Sequence, residues 1–155
     1  MVSYAKDERC VALAKVLVPL LERSGPESAG GYGGTFQVHV PSETAAQLGG
    51  LDLIRAALRK AARELGWTFG TYGFDGGPEG ATLIGIHDKR EAPEPYAKAV
   101  EEHRQRQMRA AVDRASARYS ALSGPAPAPS PPLPGTPVVQ TKEFLAAVAD
   151  HGLLA

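Results

Sequence analysis

The chain has 155 residues, 43% hydrophobic and 22% charged, which is the composition of one globular domain, long enough to bury a core without a disulfide or a structural metal. Seventeen Lys and Arg balance seventeen Asp and Glu, so no global field draws the protein to nucleic acid or to an anionic membrane, and any polyanion site must be a local patch. Cys10 is the single cysteine, which excludes an internal disulfide and a cysteine-based zinc cluster and points to a reducing, cytoplasmic setting.

Apolar residues Val11, Ala14, Leu17, Val18 and Leu21 recur with helical period over 6–22, where Pro19 is expected to kink or shorten the helix. The same stretch is too short and too interrupted for a membrane span, and Asp7 and Glu8 spoil the positive flank of a signal sequence. Ser24, Gly25, Pro26 and the run AGGYGG over 29–34 predict a loop. Residues 35–40 alternate, with Phe36, Val38 and Val40 on one side and Thr35, Gln37 and His39 on the other, as a half-buried strand requires. Ser42 and Asp52 are cap candidates for helical stretches over 43–48 and up to Leu65, the second burying Leu51, Ile54, Leu58, Ala61 and Leu65.

The segments 67–74 and 81–88 read as two strands of a hairpin across the turn 75–80. From Pro95 to about Leu122 the chain reads as a long charged helix with a narrow apolar seam of Val100, Met108, Val112, Ala115, Tyr119 and Leu122. Over 124–137 the sequence GPAPAPSPPLPGTP forms a semi-rigid spacer, because each proline removes an amide donor and favours extended backbone. Thr141 is placed to cap a short amphipathic helix carrying Phe144, Leu145 and Val148, with Gly152 as its stop.

These elements predict an α+β fold: a three- or four-stranded sheet packed by helices, with an extra N-terminal helix and a long C-terminal helix. The order resembles a ferredoxin-like βαββα core, and Val138 and Val139 offer a fourth strand. The organisation expected is a compact domain over 1–122, a proline-rich linker over 123–137 and a helical tail over 138–155.

Neither glycine-rich loop fits a phosphate cradle: GGYGG precedes a strand, and DGGPEG joins two strands and carries Glu79. His39, His87 and Asp88 form the best acid–base or metal-binding set, but they lack HxxxH and HExxH spacing. Trp67, Phe69, Tyr72 and Phe74 are aromatic enough to stack bases, yet they alternate between two faces of a strand, one of which must be core. The reading favoured is therefore a non-catalytic interaction or assembly module with no cofactor and no metal. Its tethered tail would present Phe144, Leu145, Val148 and Leu153 to a protein partner or a second copy, since so short a helix needs a surface to become ordered. The alternative is a DNA- or RNA-binding accessory that grips phosphates with Arg104, Arg106, Arg109, Arg114 and Arg118. A small metal-assisted or acid–base enzyme is the third reading.

Overall fold

A computed structural model describes residues 4, 6–26, 29–77, 80–121 and 136–154. Most of the spacer read over 123–137 lies outside the described residues.

Helix α1 (Glu8–Glu22) starts where the Asp7 carboxylate accepts the Arg9 N–H, and it continues through Pro19, so the proline does not shorten it. Strand β1 (Thr35–Pro41) follows the glycine loop, and α2 (Ser42–Gln47) and α3 (Leu51–Glu64) lead to the hairpin β2 (Phe69–Phe74) and β3 (Ala81–Asp88). Ser42 is no cap: its hydroxyl donates to the Gly80 carbonyl and meets Thr82, tying α2 to the hairpin turn. The 26-residue α4 (Tyr96–Ala121) and the 14-residue α5 (Pro137–Asp150) complete the described elements.

The fold is α+β, with a three-stranded antiparallel sheet in the order β1-β3-β2. Phe36, Val38, Val40, Ile84 and Ile86 point to one face, where they meet Leu53, Ile54, Ala57, Leu58 and Ala61 of α3. Helix α1 closes this layer with Leu13, Leu17, Leu20 and Leu21, and Cys10 is sealed in the same core. Burial pushes the Cys10 thiol above its ordinary range, which suits an inert packing role.

Val138 and Val139 do not form the expected fourth strand. They lie in the first turn of α5, which begins four residues before Thr141, with Pro137 in the first turn, where a missing amide hydrogen costs nothing. Helix α5 packs along the free edge of β1 and against α1. Edge strands carry unpaired backbone groups that must be covered or managed. Here the Gln140 side chain does what a neighbouring strand would do: its Oε1 accepts the Gln37 N–H at 2.9 Å and its Nε2 donates to the Thr35 carbonyl at 2.6 Å. One position further on, the Thr141 hydroxyl accepts the His39 N–H at 3.0 Å and donates to the Pro137 carbonyl.

The tail is consequently part of the core. Phe144 and Val148 are fully buried, with the Phe144 ring set edge-on to Phe36 at 6.2 Å. Leu145 and Leu153 are half-buried against the same cluster. The expectation of a helix that waits for an external groove is corrected: its apolar side is sheltered by its own molecule.

Candidate functional site

With the tail occupied, the remaining candidate residues lie on two other surfaces. One is the sheet face opposite the helices. The register places Gln37, Gly85 and Tyr72 in one row across the three strands, and His39, Leu83 and Phe74 in the next. Tyr72 lies down over Gly85, where an added Cβ would run into its ring, and its hydroxyl donates to Gln37 Oε1 at 2.7 Å. Gln37 Nε2 then lies 2.8 Å from His39 Nε2, extending the chain of polar contacts to the imidazole. Burial raises the Tyr72 phenol above its usual range, which keeps it a donor at neutral pH. Of the four aromatic candidates, Tyr72 and Phe74 face outward, 36% and 53% exposed, while Trp67 is buried and Phe69 packs against the core.

The proposed acid–base set does not assemble. Thr35 is opposite His87 and His39 is opposite Leu83, so the backbones of the two histidines are offset by four residues along the strands, about 13 Å at the usual rise. Asp88 is held elsewhere: its buried carboxylate takes the Arg90 guanidinium at 2.8 Å. Among the described residues no group of three His, Cys, Asp or Glu side chains could hold a metal ion. No described helix is long and apolar enough to cross a membrane.

The second surface is α4, and its root is built with care. Arg90, whose guanidinium is held protonated by its hydrogen bonds to Asp88, also donates to the Gly31 carbonyl and sits 4.5 Å from the centre of the Tyr32 ring. Tyr32 in turn stacks on Tyr96 at 6.0 Å. The glycine loop is the seat for this first turn, because Cβ atoms at Gly30 and Gly33 would collide with Tyr96 and Val100. Both glycines have positive φ, as expected for turn positions.

Beyond this root α4 makes no extensive packing with any other described helix or strand. The single seam read from the sequence is two faces. Val100 belongs with His103, Gln107, Ala110 and Ala117, a half-covered stripe continuous with the root. His103 has its Nε2 buried without a partner, and desolvation, helped by Arg106, lowers its pKa below the ordinary value. Met108 and Val112 lie on the other side, 64% and 58% exposed, with Ala115 in line and also exposed.

Of the arginines named for phosphate binding, three have described side chains. Arg104, Arg106 and Arg109 are exposed, Arg104 in a 3.4 Å ion pair with Glu101, whereas the side chains of Arg114 and Arg118 lie outside the described residues. What sequence reading missed is the split of the seam, whose signal was the spacing itself. Positions 108, 112, 115 and 119 step by four, three and four, and Val100 falls out of that phase. No family model, curated protein or solved structure matches this chain.

Proposed function

We propose that the protein is a non-catalytic interaction module that docks a partner along the outward face of α4. The observation that carries this reading is the pair Met108 and Val112, large apolar side chains exposed side by side on the outward face of a helix that is fixed at its root and makes no extensive packing with another described element. Twenty-six residues give a rod about 39 Å long, enough for an extended seam. A solvent-facing helix built only for solubility would carry polar residues at these positions. The separation of His39 from His87 favours binding over catalysis.

The test is site-specific photocrosslinking in extract of cells that make the protein. A crosslinker at position 108 should give one discrete adduct that excess unlabelled chain competes away and that a Val112→Ser change abolishes. A crosslinker at exposed Glu43 should not give it. Identical adducts from both positions, or none from position 108, would sink the reading.

A second reading, phosphate binding by α4, is favoured by the exposed arginines Arg104, Arg106 and Arg109. It requires affinity for an oligonucleotide that falls steeply with salt.

A further inference from the structure

Given a partner docked on α4, a reading on which the inference depends, the chemistry of that surface also specifies the kind of partner it takes. Met108, Val112, Ala115 and Tyr119 are spaced 4-3-4, the step by which one helix presents a continuous seam to another, and Leu122 continues it by three in the sequence. Upstream the same phase falls on Gln105 and Glu101, so the apolar seam begins at Met108. The positions that flank such a seam decide which helix is accepted. On one flank stand Arg104, Ala111 and Arg118, and on the other Glu102, Arg109 and Ser116. The one acid, Glu102, is within 4.0 Å of Lys98 on its own helix. Arg104 pairs with Glu101 of its own helix at 3.4 Å, a contact exposed to solvent that a partner carboxylate can exchange with, whereas Arg109 makes no ion pair among the described residues.

From this juxtaposition we infer that α4 is a receptor for an acidic amphipathic helix of a different protein. That helix would lay apolar side chains on Met108, Val112 and Ala115 and set carboxylates against Arg104 and Arg109. A second copy of the chain fits poorly. Parallel pairing brings Arg104 of one copy beside Arg109 of the other, and antiparallel pairing sets each arginine-bearing flank against its like. Nucleic acid would use the arginines but would leave the methionine and valine without a role.

The full chain can be titrated with three fluorescent probes: a 21-residue helical peptide with Leu at seam positions and Glu at the flanks, the same peptide with Lys at the flanks, and a 20-nucleotide oligothymidine. The expected result is at least tenfold tighter binding of the Glu peptide than of the Lys peptide at low salt. The double change Arg104→Glu with Arg109→Glu should reverse that preference, and Met108→Ser with Val112→Ser should remove binding of both peptides while circular dichroism stays unchanged. Equal binding of both peptides, lost in the Met108/Val112 variant, would leave the docking reading standing and overturn the acidic partner. Self-association lost in that same variant, with neither peptide bound, would do likewise in favour of a second copy. A chain that stays monomeric and binds neither peptide would overturn both. Oligothymidine binding lost only in the arginine variant would replace both with the phosphate reading.

Discussion

At the scale of single residues, several side chains are placed by one partner that sequence pattern does not reveal. Gln37 and Tyr72 are 35 positions apart, yet the absence of a side chain at Gly85 lets the tyrosine cross the central strand and reach the amide. His103 is the sharper case, because its buried Nε2 has no hydrogen-bond partner and its pKa is lowered first by desolvation and then by Arg106. A histidine whose folded pKa lies below its unfolded value near 6.5 favours the folded turn above that value, and the benefit is lost as pH falls toward the folded pKa. Acidification from pH 7.5 to 5 should therefore loosen the α4 segment around 100–107. Amide exchange corrected for its intrinsic pH dependence should accelerate there in the wild type and not in His103→Gln. The same profile in both proteins would show that this imidazole does not govern the turn.

At the scale of elements, α1, the β2–β3 hairpin and α4 were legible because each follows a local rule of spacing, and a rule of period two or 3.6 needs no knowledge of neighbours. Helix α5 was half legible. Phe144 and Val148 are one turn apart and identified an apolar side correctly, but the prolines before them suggested a tether, and nothing local says that a glutamine amide will match the edge of β1. Val138 and Val139 favour strand on intrinsic grounds, and Pro137 in the first turn together with the docking of Phe144 outweighs that preference. The match at Gln140 can be measured. Gln140→Ala leaves the Gln37 N–H and the Thr35 carbonyl without their partner in a site where the glutamine is only 4% exposed. Orphaned buried groups cost about 1–3 kcal/mol each, so with two of them urea denaturation should give a loss of about 2–6 kcal/mol, with faster exchange of the Gln37 amide. A loss under about 0.5 kcal/mol would mean that water serves this edge equally well.

At the scale of the whole molecule, α4 and α5 have opposite relations to the body. Helix α5 gives its apolar side to the core, whereas α4 keeps Met108 and Val112 outside it. Removing each should therefore have opposite consequences. A domain of this size has a net stability of about 5–15 kcal/mol, and truncating a buried phenylalanine to alanine costs about 3–5 kcal/mol. Phe144→Ala alone should lower the thermal midpoint by several degrees, and deletion of 137–155 removes Phe144, Val148 and the Gln140 edge cover together, so the remaining chain should lose its cooperative transition. Truncation of Met108 and Val112 to serine should leave that transition where it is, since neither side chain is buried. Calorimetry on the three proteins distinguishes the roles. A tail deletion that melts like the full chain would restore the idea of an independent C-terminal element, and a destabilised Met108/Val112 variant would mean that the outward face of α4 belongs to the fold and not to a partner.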